Sequence, residues 1–285
     1  MLSVSGKTTI DFISNSKVCD IDIPIPPLSE QKRIVKFLDE EFSKIETLKT
    51  NAETNLKNAK VFFQKKIANE FTINAEKLKQ GWIETTVGDI ADIKGGKRIP
   101  KGEKLLTKKT KHPYIRVTDF NDNGSVDLDD IHYISDEIYE GIKRYIITTE
   151  DAYVSIAGTI GKCGIIPLEL NNANLTENAC RLIFNTNIYN RFFVYFSLSD
   201  EFKALTQKET RANAMPKLSI LRLSQIQIPL PPLSVQKEIV ARLDKLSENV
   251  KRLEANYKQI IANCDELKKS ILKKTFEGAS RSSRE

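Results

Sequence analysis

Histidine is scarce: His112 and His132 are the only two in 285 residues. Neither falls in an HExxH or other paired-ligand spacing, which removes the common histidine metal centres. The four cysteines, Cys19, Cys163, Cys180 and Cys264, form no CxxC pair. That excludes zinc-ribbon and dithiol redox chemistry and fits reduced thiols in a cytoplasmic protein. No run approaches 18 apolar residues, so nothing reads as a membrane span, and residues 1–11 hold no apolar core of signal-peptide length. There is no GxGxxG for a nucleotide cofactor. Ser5-Gly6-Lys7-Thr8-Thr9 has the ending of a phosphate-binding loop, but the first glycine of that motif would stand at Met1, and no strand can precede it. Pro26-Pro27 and Pro231-Pro232 lack the Asn/Asp and aromatic flanks that adenine methyltransferases use; their neighbours are Ile25, Leu28, Leu230 and Leu233. Asp122, Asp127, Asp129 and Asp130 show no EF-hand spacing and read as an acidic turn. The sequence therefore predicts no catalytic residue, no metal and no cofactor in this chain.

What is present is a long internal repeat. Ile21–Asp39 reads IDIPIPPLSEQKRIVKFLD, and 205 residues later Ile226–Asp244 reads IQIPLPPLSVQKEIVARLD, identical at thirteen of nineteen positions without a gap. The register continues: Leu48 falls on Leu253, Asn58 on Asn263 and Phe71 on Phe276. Such a period is that of a whole domain plus a helix, not of a solenoid. The prolines force an extended exit, and Ser29 and Ser234 then have the chemistry of helix N-caps.

Two long helices are expected. The first, Ser29 to about Phe71, places Ile34, Ile45, Leu56 and Ile67 eleven residues apart, near 3.67 residues per turn; Leu38 and Phe63 extend the stripe. At 1.5 Å per residue it spans roughly 65 Å, too long for a globular core, so it must pack lengthwise on another long helix. The second, Ser234 to Phe276, alternates four and three through Ile239, Leu243, Leu246, Val250, Leu253, Tyr257, Ile260, Cys264, Leu267 and Ile271, a coiled-coil seam. All but Cys264 are taken with the first stripe as helix-pairing residues. The chain's own helices pairing antiparallel and two copies pairing through them are both open.

Between the helices the composition turns to short β-type runs and glycines. Val87–Ile93, Tyr114–Val117, Ala152–Ile156, Gly164–Ile166 and Arg181–Phe184 read as strands, and Ile188–Leu205 as one helix with aromatics on one side. The fold class is α+β: one α/β domain flanked by two long helices that pair as a coiled coil. Its segments are 1–28, the tail of an upstream domain; 29–80, helix and linker; 81–233, the α/β domain; 234–277, the second helix; and 278–285, a frayed tail.

Net charge is +6 overall, yet Ile93–Lys111 alone carries eight cations (Lys94, Lys97, Arg98, Lys101, Lys104, Lys108, Lys109, Lys111) against Glu103. A glycine-bearing loop this basic suits a phosphate backbone, where each neutralised phosphate releases a counterion. Arg116 can address guanine, and Asn174, Asn178 and Asn213 adenine. Asn121 and Asn123 have the same chemistry, although Asn is also an ordinary turn residue. Ser155 to Lys162 is a strand ending in a glycine turn that lets backbone approach a ligand closely; with Thr159, Arg211 and Lys217 these complete the candidate DNA contacts.

Four stretches together resemble the DNA-specificity (S) subunit of type I restriction–modification systems: the repeated PPLSxQKxIVxxLD, the domain opening GWIETTVGDIADIKGGK, the strand and turn SIAGTIGKCGII, and the domain exit NAMPKLSILRLSQIQIPLPPL. They span nearly all of residues 20–276. That family alternates two target recognition domains with two helices. This chain has both helices but one whole domain, so it looks like a truncated or half subunit. The resemblance implies a non-enzymatic reader of one half of a split site in double-stranded DNA. The helices would act as a ruler and a dock for methyltransferase (M) subunits, with restriction (R) subunits joining through them. S-adenosylmethionine binding, methylation and ATP hydrolysis would belong to the partners. Two copies are expected to pair as a homodimer. A scaffold that occupies M subunits without reading DNA is the competing expectation, and a nucleotide hydrolase acting through Gly6-Lys7-Thr8 a third.

Overall fold

The computed structural model describes residues 19, 23, 25–208 and 217–282. In chain order these give helix α1 (Leu28–Phe71), the short α2 (Ala75–Lys79), β1 (Ile83–Thr86), a single turn α3 (Val87–Ile90), β2 (Ala91–Gly95), β3 (Pro113–Ile115), β4 (His132–Tyr133), α4 (Asp136–Ile142), β5 (Ile146–Ile147), β6 (Ala152–Ser155), β7 (Cys163–Gly164), β8 (Ala173–Leu175), β9 (Ala179–Phe184), α5 (Asn190–Ser197), α6 (Asp200–Lys208), α7 (Ile220–Ser224), β10 (Gln227–Leu230) and α8 (Leu233–Ser282). The chain divides into two compact units. One holds the chain to Asn58 with the chain from Leu253; the other runs from Ala59 to Arg252.

The larger unit is built on three sheets. β1 and β10 pair antiparallel, Ile83 opposite Leu230, so the start and end of the domain are tied together. A second sheet runs β2-β9-β6-β7, antiparallel throughout. The third, β4-β3-β8-β5, contains one parallel pair, β3 with β8. A core of Ile115, Phe120, Ile147, Tyr153 and Leu175 joins residues of these last two sheets, with Phe120 and Tyr153 stacked 3.8 Å apart. The main core gathers the aromatics of α5 and α6. Phe192, Phe193, Phe196 and Phe202 are fully buried; Phe71 of α1 meets Phe192 and Phe196, with ring centroids 5.2 Å and 5.4 Å away, and Phe202 packs edge-on against Phe193 and Phe196. Ile239, Val240 and Leu243 of α8 close it. Each such side chain contributes about 1.5–3 kcal/mol by leaving water, which fixes both helix ends to the domain.

The repeat extends to its hydrogen bonds. In each copy the helix begins one residue before the serine, at Leu28 and Leu233, so Ser29 and Ser234 lie in the first turn and are not caps. The motif's glutamine folds back instead: Gln31 Nε2 donates to Pro26 O (2.8 Å) and Gln236 Nε2 to Pro231 O (3.0 Å). Gln236 is fully buried and also ties α8 to the domain, accepting from Tyr189 N and donating to Asn187 O, both 2.9 Å. Asp244, the last residue of the motif, holds Arg191 (2.7 Å) and the Tyr195 hydroxyl.

In the smaller unit α1 and α8 run antiparallel. Lys49 pairs with Asp265 at 2.7 Å and Glu46 with Lys268 at 2.6 Å. Ile45, Ala52 and Cys264 are buried there, with Ile34, Leu38, Leu56, Tyr257, Ile261 and Ile271 half-buried. The chain's own helices therefore form the pair. The predicted seam needs correction: Leu253, Ile260 and Leu267 are 42, 40 and 47 % exposed. Buried and half-buried positions alternate four and three from Tyr257 through Ile261, Cys264, Lys268 and Ile271, a set that keeps every second member of the predicted stripe and turns the others outward. Of the remaining predicted pairing residues, Ile67, Ile239, Leu243 and Val250 are buried and Phe63 and Leu246 half-buried in the larger unit.

Three further expectations change. Val87–Ile93 begins as a helical turn because Thr86 and Asp89 form a reciprocal capping box before β2. The predicted single helix at 188–205 is two, α5 and α6, broken at Leu198–Ser199, where the Ser199 hydroxyl accepts from Phe202 N. α8 continues through Ser282, past the predicted end at residue 277.

Candidate nucleic-acid interface

Parallel pairing of β3 and β8 brings their C-terminal ends together, Ile115 opposite Leu175. Gly95 faces Cys180 and Ser155 faces Ala179, so the ends of β2 and β6 reach the same edge. The turn Thr176–Asn178 links everything there. Thr176 N donates to Ile115 O (3.1 Å), Gly96 N to Ala179 O (2.9 Å), Lys97 N to Leu175 O (2.8 Å) and Ile156 N to Asn178 O (2.8 Å). Lys217 joins through a bridge to Ala157. Six sequence-predicted contacts thus meet at one edge: Lys97, Arg98, Arg116, Thr159, Asn178 and Lys217, with Lys94 a residue back on β2.

Glycine makes the edge tight. A Cβ on Gly96 would stand 2.1 Å from Thr176 O, so only glycine lets the basic loop leave β2 against that turn. In the β6–β7 turn Gly158 and Gly161 have φ of +75° and +86°, a left-handed conformation that exposes Thr159. Ser155 is fully buried beneath it, its hydroxyl donating to Thr159 O and accepting from Lys162 N at 2.9 Å.

The cations fall into two groups. Arg98 pairs with Glu177 at 2.6 Å, Lys94 with Asp92 at 2.9 Å, and Lys162 with Asp122 at 2.8 Å. Arg116 is held by Asp119 (2.7 Å) and Asp130 (3.0 Å). Asp119's hydrogen bond raises the Arg116 pKa, and Arg116 in turn lowers that of Asp130. Burial works against ionisation of Glu177, but Arg98 and the Thr176 hydroxyl outweigh it and its pKa is lowered. By contrast Lys101, Lys108, Lys109, Lys111 and Lys217 are exposed and, among the described residues, have no carboxylate partner. Lys97 lies over the Tyr145 ring, 5.8 Å from its centroid. Lysines 104–111 follow β4: Leu106 bridges Tyr133 and Thr110 donates to Ile134 O.

Two predicted readers are structural. Asn174 is fully buried on β8, its amide donating to Ile142 O; Ser155 is consumed by its turn. Arg211 and Asn213 lie outside the described residues. Sequence reasoning missed Glu177, the acid amid the cations, whose signal was only a lone charge beside Asn178.

This architecture, a mixed α+β domain joined to two long helices, belongs to a known class. The chain is a member of the type I restriction modification DNA specificity domain family, whose profile matches residues 1–58 and 79–262. Among curated relatives it is 27% identical over 302 residues to the type I restriction enzyme EcoBI specificity subunit of Escherichia coli, covering 96% of this chain and 61% of that protein. It is 25% identical to the MjaVIII specificity subunit of Methanocaldococcus jannaschii, covering 96% and 65%. The chain thus spans about three fifths of the length of these relatives. The fold matches a chain from a structure of type I restriction–modification complex assembly (TM-score 0.79, 21% identity, 95% of this chain and 65% of that one). It also matches the crystal structure of the HsdS subunit from Thermoanaerobacter tengcongensis (TM-score 0.63, 21% identity, 98% and 66%).

Proposed function

We propose that this chain is the DNA-recognition component of a type I restriction–modification methyltransferase. In this reading residues 81–233 form the target recognition domain and read one half of a bipartite site. The observation that carries it is the edge where Lys97, Arg98, Asn178, Thr159 and Lys217 converge, in a chain of the DNA specificity family. The unpaired lysines bind phosphates without regard to sequence, and the polar groups at the strand ends face the base edges.

The long helices set the spacing between half-sites and hold methyltransferase subunits, and two copies together present two recognition domains. The chain itself carries no catalytic step; methylation, ATP hydrolysis and cleavage fall to its partners, in the cytoplasm. Among the described residues no helix is long and apolar enough to cross a membrane.

Methylome sequencing of a host carrying this chain with its M subunit tests the reading. One modified motif should appear that vanishes when the chain is deleted and changes when residues 81–233 are exchanged for a relative's. A motif indifferent to that exchange would leave only the scaffold role.

A further inference from the structure

Two arginines among the described residues stand at the edge where β2, β3, β6 and β8 end, and they differ in the donors they have left. Arg116 spends its guanidinium inside the domain. Nε and Nη2 donate to the buried Asp119, Nη2 donates also to Asp130 O (2.9 Å) and the Asp130 carboxylate (3.0 Å), and Nη1 lies 3.5 Å from His132 Nε2. Its side chain is 26 % exposed. The Arg98 side chain is 75 % exposed, and its partner among the described residues is Glu177. Nε and Nη2 both meet Glu177 Oε1 at 2.6 Å. A guanidinium carries five N–H groups in a fixed plane, so three remain, all at the Nη1–Nη2 end.

This pair is held from both sides. The hydroxyl of buried Thr176 donates to Glu177 Oε2 at 2.9 Å. Lys97 N donates to Leu175 O (2.8 Å), the Tyr114 hydroxyl donates to Lys97 O (2.9 Å), and Ile99 packs on the cluster of Tyr114, Ile134, Ile138 and Ile142. The backbone on either side of Arg98 is thereby fixed.

Charge separates Arg98 from the free lysines around it. Glu177 cancels its net charge and sets a carboxylate beside any approaching phosphate, so the pair gains little from phosphate neutralisation. An exposed ion pair also adds little to stability. What the arrangement keeps is a rigid pair of parallel donors at the end of the side chain. Guanine presents two acceptors, O6 and N7, in the major groove, and no other base offers two there.

We propose that Arg98 reads a guanine in the major groove. Glu177 is its positioning residue, fixing the guanidinium plane and withholding it from phosphates. The guanine contact expected of Arg116 falls to Arg98. This deepens the recognition reading above and rests on it.

Fluorescence anisotropy on the methylome-defined duplex, with the M subunit present, gives the test. 7-Deazaguanine replaces N7 by C–H and keeps Watson–Crick pairing. Placed in turn at each guanine in the part of the site that residues 81–233 determine, it should weaken wild-type binding about tenfold at one position. Arg98→Ala should bind the natural duplex about tenfold more weakly and be indifferent to 7-deazaguanine at that position. Glu177→Gln frees the arginine's charge, so the slope of log affinity against log salt should steepen by about 0.9 while discrimination against 7-deazaguanine shrinks. Arg98→Ala/Glu177→Gln, which removes a neutral pair, should keep the wild-type slope. Independent, multiplying losses from Arg98→Ala and 7-deazaguanine overturn the proposal, as does a determined part of the site without a G·C pair. A double variant whose slope falls by about 0.9 also overturns it and makes Arg98 a phosphate contact, and a Glu177→Gln protein unchanged in slope and discrimination removes the role of Glu177. In each of these cases sequence-specific, salt-dependent binding by the wild type leaves the recognition reading standing; a wild type that does not bind the duplex ends both.

Discussion

Replacing Gln236 with alanine tests how the repeat motif fixes helix to domain. The side chain is fully buried and satisfies three backbone groups, Asn187 O, Pro231 O and Tyr189 N. Alanine leaves all three without this partner. At about 1–3 kcal/mol for each buried group stranded, and allowing for partial access of water, the loss should be about 3–5 kcal/mol. With a urea slope near 2 kcal/mol/M, the midpoint should fall by about 1.5–2.5 M, followed by fluorescence of the single tryptophan, Trp82, which is buried in the domain's main core. The repeat supplies its own control. Gln31 is half-buried and donates one bond, to Pro26 O, so Gln31→Ala should cost only about 0.5–1.5 kcal/mol, read by circular dichroism. Equal shifts for the two variants, or a loss below about 1 kcal/mol at Gln236, would refute the assignment.

Gly96→Ala, whose new Cβ would collide with Thr176 O, should cost about 1–3 kcal/mol by overpacking, whereas Gly95→Ala meets only Ile220 Cδ1 at 3.8 Å and should leave the thermal midpoint nearly unchanged. Burial pushes the Cys163 and Cys180 thiols up to about 12, so brief iodoacetamide treatment at pH 8 should label exposed Cys19 and spare both; modification of either at the Cys19 rate would contradict the core. Hydrogen bonds from Lys268 and Lys49 lower the pKa of Glu46 and Asp265 beneath their ordinary 4.5 and 3.8. Because the folded values are depressed, the stabilisation is present above those ordinary values and lost as pH falls beneath them. Helical circular dichroism of a Lys49→Ala/Lys268→Ala variant should accordingly show a smaller acid-induced loss than the wild type.

Helix period made the two long helices legible, and the repeat made the domain between them legible. The seam was half legible. Leu253, Ile260 and Leu267 share the apolar spacing of Tyr257 and Cys264, and hydropathy does not say which of two adjacent stripes a single partner helix covers. Local chemistry overrode pattern at Thr86–Asp89 and at Ser199, where side-chain caps stop or start helices inside runs that read as one element. At the site, the lysine cluster was visible as composition. Its meeting with Asn178, Thr159 and Lys217 was not, because it depends on the β3–β8 and β6–β9 pairings between distant segments. Asn174 shows the converse: an amide reads alike in sequence whether it faces solvent or Ile142 O in the core.

DNA binding measured against salt tests the central claim most directly. Fluorescence anisotropy on a duplex bearing the methylome-defined site, with the M subunit present, should show affinity falling steeply as salt rises. Lys101→Ala and Lys217→Ala should each reduce the slope of log affinity against log salt by about 0.9. Asn178→Ala should keep the slope and relax one position of the site by about 1–3 kcal/mol. A binding curve indifferent to salt, or lysine variants with the wild-type slope, would contradict the placement of DNA on this edge.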